Sequence, residues 1–148
     1  MLVIAHRGNI NGKSELYENK PSYIMKTIEL GFDVETDLWI IENKFFLGHD
    51  NPQYEIDHSF LNNNKLWIHA KNFKAFFWLV NNKDNLKCQY FWHQNDNFTL
   101  TSNNLIWTYP DSNLKLSDKS IAVLPELVKE WNLANCYGIC TDYCYKYT

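Results

Sequence analysis

The sequence predicts an α/β fold: a small or incomplete (β/α) barrel, built as a single domain over residues 1–148. Three observations predict it. The chain opens with a strand, helix, strand pattern, short apolar strand-like segments recur to its end, and the later segments are too close together for full helices between them. A complete (β/α) barrel takes about 250 residues. A chain of 148 residues, 45% of them hydrophobic, can therefore form only a reduced version with one core.

The opening elements follow from apolar runs and from helix punctuation. Leu2-Val3-Ile4-Ala5 is a short apolar run typical of a buried strand. Pro21 and Gly31 delimit a helix over 22–30, since Pro favours the first helical turn and Gly the position just past a helix end. Residues 32–38 alternate between apolar and polar side chains, as strands do. A strand, helix, strand unit of this length predicts a parallel sheet.

The remaining elements are shorter and closer together. An apolar stretch over 39–50, interrupted by Glu42-Asn43-Lys44, predicts a small hairpin. Residues 73–82 predict a second helix. Further strands are predicted at 66–71, 89–93, 105–109, 120–124 and 138–142.

Composition excludes several classes of partner. A net charge of −3 provides no basic field for duplex nucleic acid or an anionic membrane surface. The first apolar run is too short for a signal peptide or a membrane span, so we expect a cytoplasmic protein. Without a Cys-x2-Cys pair, the cysteines are interpreted as reduced structural thiols in that compartment; they are Cys88, Cys136, Cys140 and Cys144.

Polar residues at the carboxyl ends of the predicted strands are the candidates for chemistry, because those ends face the pocket in parallel β/α proteins. Glu35 and Asp37 are two residues apart, so both carboxylates lie on one side of a strand. Paired carboxylates of this kind suit Mg²⁺, Ca²⁺ or Mn²⁺. The alternative is that one or both are surface residues of an edge strand.

Two histidines and an arginine extend this set. His6 and His49 follow predicted strands, where an imidazole can exchange a proton near neutral pH, although either could be a hydrogen-bonded structural residue. Arg7 is the only arginine in the chain, and its planar fork is suited to bidentate recognition of phosphate. We therefore expect a local anion site at the end of the first strand.

The order of these motifs resembles a known family. Ile4-Ala5-His6-Arg7-Gly8, Glu18-Asn19, the segment 31–37 and Gly48-His49-Asp50 are similar to the glycerophosphodiester phosphodiesterases, of the phospholipase-C-like TIM-barrel class. The segment 138–143 is similar to the last strand of those barrels. The resemblance implies a TIM-type barrel and a metal-dependent hydrolase of lipid metabolism. Its substrate would be a glycerophosphodiester or a related polyol or sugar phosphodiester.

The resemblance also implies a role for each matching residue. His6 and His49 would be the general acid and base, and Glu35 and Asp37 would hold the divalent ion. Phosphate oxygens and the rest of the substrate would then be bound by the remaining polar residues of the pocket, which are Arg7, Glu18, Asn19 and Lys71.

One position departs from the family pattern. At the third strand those enzymes have Glu-x-Lys with the glutamate as a further metal ligand, whereas this chain has His69-Ala70-Lys71. As a ligand, His69 would shift the preference from Mg²⁺ or Ca²⁺ toward Mn²⁺ or Zn²⁺. Alternatively, His69 only donates or accepts a hydrogen bond, and waters complete the metal shell.

The sequence is also compatible with two other functions and with a homodimer. The same pocket could belong to a lyase that releases a cyclic phosphate, or to a phosphate-binding module without catalysis. A barrel that lacks outer helices would expose apolar strand flanks, and a homodimer is one way to cover them.

Overall fold

The computed structural model describes residues 1–111 and 113–148. These residues form a 10-stranded sheet and two α-helices, joined by loops and short 3₁₀ turns. The helices are α1 (Pro21–Glu29) and α2 (Phe73–Asn81). The strands are β1 (Leu2–His6), β2 (Asp33–Ile41), β3 (Lys44–Leu47), β4 (Tyr54–Ile56), β5 (Leu66–Ala70), β6 (Gln89–Trp92), β7 (Phe98–Leu100), β8 (Ile106–Thr108), β9 (Ser120–Val123) and β10 (Gly138–Thr141). The 3₁₀ turns are His58–Leu61, Lys83–Asn85, Pro125–Leu127, Leu133–Asn135 and Cys144–Lys146.

The individual elements expected from the sequence are confirmed. The predicted hairpin over 39–50 is formed by the end of β2 and by β3, and both helices begin and end within a residue of their predicted bounds. Two strands were not anticipated, β4 and β7, each only 3 residues long. Segments this short show too little alternation of apolar and polar residues to be recognised as strands.

The sheet is mixed, which makes the predicted (β/α) TIM-type barrel of the phospholipase-C-like class wrong. Strands β6, β5, β2, β1, β10, β9 and β8 are neighbours in that order and all parallel. Strands β3, β4 and β7 are added antiparallel to their neighbours. A TIM barrel needs a helix after each strand. Within the described residues only β1 and β5 are followed by an α-helix, because the later connections are too short.

The sheet is curled into a half-barrel with two differently packed faces. Phe91 on β6 and Trp107 on β8, from opposite ends of the parallel run, stack with ring centroids 4.5 Å apart on the inner face. Ile4 and Trp67 belong to this inner cluster. Their neighbours in sequence pack on the outer face with the helices, as alternation along a strand requires. The inner face therefore has a closely packed aromatic floor.

The two helices cover part of the outer face. In α1, Ile24 and Thr27 are buried against the sheet. Helix α2 begins after Asn72, whose side-chain oxygen accepts a hydrogen bond from the Ala75 backbone N–H and so caps the helix. Among the described residues, no helix combines the length and the apolar character needed to cross a bilayer.

The homodimer expected from the sequence stays a prediction, with a candidate surface. Phe73, Phe77 and Val80 are exposed along one stripe of α2, and Phe98 and Leu100 are exposed on β7. We expect light scattering at micromolar concentration to give twice the chain mass, because covering apolar surface is favourable. A monomeric mass would contradict this expectation.

Candidate active site

The inner face of the half-barrel changes from apolar to polar toward the carboxyl ends of the parallel strands. Trp67 on β5 belongs to the aromatic floor, and His69, two residues later, rises from the same side. Glu35 and Asp37 on β2 are also two residues apart, so their side chains lie on one side of that strand. These side chains and their neighbours surround a cavity of about 400 Å³. The cavity is lined by His6, Arg7, Glu35, Asp37, His49, His69, Lys71, Phe91, Trp92, His93, Gln94, Trp107, Tyr109 and Val123.

Asp37 is the electrostatic centre of the cavity and is only 1% exposed. Asn19 donates a hydrogen bond of 2.9 Å to Oδ2, and the Arg7 Nε lies 3.5 Å from the same oxygen. On the other side, the His69 Nδ1 and the Lys71 Nζ lie 3.0 and 3.6 Å from Oδ1. Burial by itself would raise the pKa of Asp37, but the close His69 and the charges of Lys71 and Arg7 outweigh it and lower that pKa. Asp37 is therefore ionised in the folded protein.

Glu35 is buried beside Asp37, with the opposite electrostatic result. Its Oε2 accepts a 3.2 Å hydrogen bond from the Arg7 backbone N–H. Burial, together with the negative charge of Asp37, raises the pKa of Glu35. Two carboxylates in one dry site repel each other, and either protonation of one of them or a bound cation relieves the repulsion.

The position of His69 fits both alternatives that the sequence leaves open, a metal ligand and a hydrogen-bonding residue. His69 Nε2 lies 3.2 Å from the His93 carbonyl oxygen, which can only accept, so this nitrogen carries the proton. Its Nδ1 lies 3.0 Å from Asp37 Oδ1 and, when deprotonated, would offer a lone pair to an ion bound beside that oxygen. That oxygen is buried, and among the described residues it has no hydrogen-bond partner. Metal-bound histidines typically donate their other ring N–H to a carbonyl in this way.

The residues present fit a divalent ion. Glu35, Asp37 and His69 each offer a ligand atom, and these atoms lie within 4.8 Å of one another. Two ligands about 2.1 Å from one ion at right angles are roughly 3 Å apart. This matches the 3.0 Å between His69 Nδ1 and Asp37 Oδ1. A set of two carboxylates and one imidazole suits Mn²⁺, Zn²⁺ or Mg²⁺.

His6 is held by a carboxylate from the last strand. Its Nδ1–H donates to Asp142 Oδ1 at 2.9 Å, which leaves Nε2 available for proton exchange. Asn9 donates both to the same Asp142 oxygen, at 2.8 Å, and to Glu18, at 3.0 Å. Burial opposes protonation of His6, but the Asp142 hydrogen bond and the charge of Glu35 prevail and raise its pKa. The imidazole is thus fixed in orientation and favoured in its charged form.

We expect Asp142→Asn to lower the pKa of His6, because the amide loses the charge that favours the imidazolium ring. Since the folded pKa of His6 is raised, the stabilisation from this pair is present below the unfolded histidine pKa and disappears as the pH rises through the folded value. An NMR pH titration of His6 in EDTA measures the pKa directly. An unchanged or higher pKa in the variant would contradict this interpretation of the pair.

Arg7 has a strained backbone and an anchored side chain. Its φ is +53°, a left-handed conformation that non-glycine residues rarely adopt. The conformation is held because the Arg7 carbonyl accepts from the Asn19 N–H at 3.1 Å and the Arg7 N–H donates to Glu35. The guanidinium donates to Glu18 at 3.1 Å. Strain of this kind concentrates at functional sites, where the surrounding structure compensates for it.

His49 reaches the cavity from the loop after β3. The turn needs Gly48, whose φ is +150° and at which a Cβ would collide with the Asn51 carbonyl oxygen. His49 Nδ1 lies 2.7 Å from Asp50 Oδ1, and the side chain is 38% exposed. Burial, which outweighs the favourable carboxylates, lowers the pKa of His49. The pKa values of His6 and His49 are therefore shifted in opposite directions.

The structure brings most of the sequence-predicted residues to this one cavity. Glu18 and Asn19 lie beside it, in a neighbouring cavity of about 440 Å³, and hold Arg7 and Asp37 in place. Asp142 was missed as a site residue. It directly follows β10, so applying the strand-end criterion to the last strand as well as the first ones would have found it.

Comparisons of the chain with protein-family models, curated proteins and solved structures found no match. The resemblance to the glycerophosphodiester phosphodiesterases therefore depends on the motifs themselves, and membership of that family stays a prediction.

Proposed function

We propose that this protein is a divalent-metal-dependent phosphodiesterase that acts on a small-molecule phosphodiester in the cytoplasm. The substrate class is a glycerophosphodiester or a related polyol or sugar phosphodiester. A cytoplasmic site of action is consistent with the cysteines, which are all free thiols. The predicted motifs provide the starting point, and the geometry of the cavity provides the support.

The observation that carries the proposal is the convergence of three kinds of group on one cavity. A carboxylate and imidazole set fits a divalent ion, Arg7 and Lys71 supply fixed positive charge, and His6 and His49 can move protons. Phosphoryl transfer needs these functions together, because negative charge on the phosphate oxygens must be stabilised while protons are transferred at both ends. A pocket that only bound phosphate would not need a pair of histidines beside a metal site.

Different residues of the cavity bind the phosphate, transfer protons and hold the ion. Arg7 and Lys71, whose charged ends lie beside Asp37, attract the phosphate oxygens into the cavity. His6, fixed by Asp142, gives a proton from Nε2 to the leaving oxygen, while His49 accepts one from the attacking hydroxyl or water. The opposite pKa shifts of His6 and His49 favour these roles. A divalent ion bound by Glu35, Asp37 and His69 would act as a Lewis acid on the phosphate oxygens.

The test is hydrolysis of bis(p-nitrophenyl) phosphate and glycerophosphocholine by purified protein. Turnover is measured with Mg²⁺, Ca²⁺, Mn²⁺ or Zn²⁺ and with EDTA, for the wild type and for Glu35→Gln. We expect turnover that needs an ion, is highest with Mn²⁺ or Zn²⁺ because of His69, and is lost in Glu35→Gln. Glu55→Gln is the matched control, since Glu55 is exposed on β4.

Phosphorus NMR of the products completes this test. A phosphomonoester as the final product supports hydrolysis. Accumulation of a cyclic phosphate that is not opened would identify a lyase instead. Folded protein that binds an ion but turns over no phosphodiester would contradict the proposed activity.

A further inference from the structure

The candidate active site has a second cavity beside it, and the two share residues. The first cavity, of about 400 Å³, and the second, of about 440 Å³, are both lined by Arg7 and His49. These are a phosphate-binding candidate and a proton-transfer candidate. A phosphodiester has two alcohol arms on one phosphorus atom, so a phosphate held between Arg7 and His49 would extend one arm into each cavity.

The first cavity contains an aromatic wall, which we call the aromatic chamber and define by Trp92, His93, Trp107 and Tyr109. His93 and Tyr109 stack with ring centroids 3.5 Å apart and planes 19° from parallel. An aromatic wall of this kind favours aromatic rings and the C–H faces of alicyclic rings, which contact the ring edges and the faces that the stack leaves free. Arg7 and Lys71 line the same cavity at its metal-site end, where both lie beside Asp37. None of the four residues of the aromatic chamber is a carboxylate, a lysine or an arginine. The chamber therefore suits an uncharged ring.

The second cavity, the polar chamber, has a different character. Its unshared lining includes Lys13, Glu15, Asn51 and Gln53. The charged groups of this cavity are paired: Lys13 with Glu15 at 3.0 Å, Glu18 with Arg7 at 3.1 Å and Asp50 with His49 at 2.7 Å. Among the described residues, no side chain bonds the amides of Asn51 and Gln53, and both are exposed to the chamber. Amides donate and accept, which matches the dual hydrogen bonding of hydroxyl groups.

We infer that the two chambers sort the arms of the substrate: an uncharged ring with a flat apolar face occupies the aromatic chamber, and a hydroxyl-bearing arm occupies the polar chamber. This assignment rests on the proposed function, since the shared phosphate position comes from it. Within the proposed substrate class, it predicts a preference for a mixed diester with one ring-bearing alcohol and one open-chain polyol.

Binding of two monoester probes tests the assignment without requiring turnover. Phenyl phosphate represents the ring arm and glycerol 1-phosphate the polyol arm, each measured by calorimetry with Mn²⁺ present. Tyr109→Leu removes a flat face, and Tyr109→Phe is its matched control. Gln53→Met keeps the side-chain shape but removes hydrogen bonding at an exposed position.

Selective losses are expected. Tyr109→Leu should weaken phenyl phosphate by about tenfold, the scale of one aromatic stacking contact, and glycerol 1-phosphate by less than about twofold. Tyr109→Phe should bind both probes like the wild type. Gln53→Met should weaken glycerol 1-phosphate by about three- to tenfold, as for one lost hydrogen bond, and leave phenyl phosphate unchanged.

The outcomes separate this inference from the phosphodiesterase proposal. Equal weakening of both probes by either variant, or failure of the wild type to bind them, would overturn the sorting of arms even if bis(p-nitrophenyl) phosphate is hydrolysed. Selective losses without hydrolysis of any diester would support the two chambers and contradict the proposed activity. Because Gln53 is exposed, its variant keeps the test decisive if Tyr109→Leu fails to fold.

Discussion

His6→Gln is expected to lower kcat by about 10²- to 10⁴-fold while the protein remains folded and binds metal, since loss of a positioned general acid has effects of this size. Asp142, which also accepts a hydrogen bond from Asn9, holds the His6 imidazole. Glutamine can keep a hydrogen bond to Asp142 but cannot transfer a proton near neutral pH. KM should change much less than kcat, because Arg7 and Lys71, rather than His6, bind the phosphate. Steady-state kinetics with bis(p-nitrophenyl) phosphate gives both constants.

His58→Gln provides the matched control for this prediction. His58 lies on an exposed 3₁₀ turn and its side chain is 66% exposed. It does not line the active-site cavity. A kcat for His6→Gln within about twofold of the wild type would remove His6 from the chemistry, whereas a large loss in His58→Gln as well would indicate a general effect of histidine replacement on the protein.

Asp37→Ala is expected to lower the free energy of unfolding of the metal-free protein by about 3–5 kcal/mol, the usual cost of leaving buried charge without its partner. The substitution removes the carboxylate that faces Arg7, His69 and Lys71 at 3.0–3.6 Å. It also removes the acceptor of the Asn19 side-chain N–H. Urea unfolding in EDTA measures the change, and Asp118→Ala at an exposed turn is the control.

Two features would identify electrostatics as the cause of that loss. Adding Lys71→Met to Asp37→Ala should recover part of the stability, because one unpaired cation is then absent. The pKa of Asp37 is lowered by folding, so its stabilisation is present above the unfolded Asp pKa of about 3.9 and is lost as the pH falls through the folded value. A loss that neither depends on pH nor responds to Lys71→Met would indicate a packing defect instead.

The elements and the strand-end residues were predictable from the sequence because each has a local signal. Apolar runs predicted the strands, Pro21 and Gly31 delimited α1, and the two-residue spacing of Glu35 and Asp37 predicted that they share a face. The role of Asp142 depends on a contact across 136 residues of sequence separation. Local periodicity carries no information about such contacts.

The fold class was wrong for a physical reason that the strand pattern does not contain. Parallel strands with curled pairing are common to a closed (β/α) barrel and to this half-barrel, and the two architectures differ in the segments that connect the strands. Here β3, β4 and β7 add antiparallel segments where a barrel would have helices. The inner face nevertheless brings strand ends together, because side-chain alternation and parallel pairing act in the same way in both architectures.

A Mn²⁺ titration, with binding and turnover measured in the same samples, tests whether the metal site is the phosphodiesterase site. We expect the wild-type protein to bind one ion through Glu35, Asp37 and His69, and hydrolysis of bis(p-nitrophenyl) phosphate to rise in proportion to occupancy. Glu35→Gln should lose both binding and hydrolysis. Stoichiometric binding that depends on Glu35 but produces no hydrolysis, or hydrolysis that persists in EDTA, would contradict this expectation.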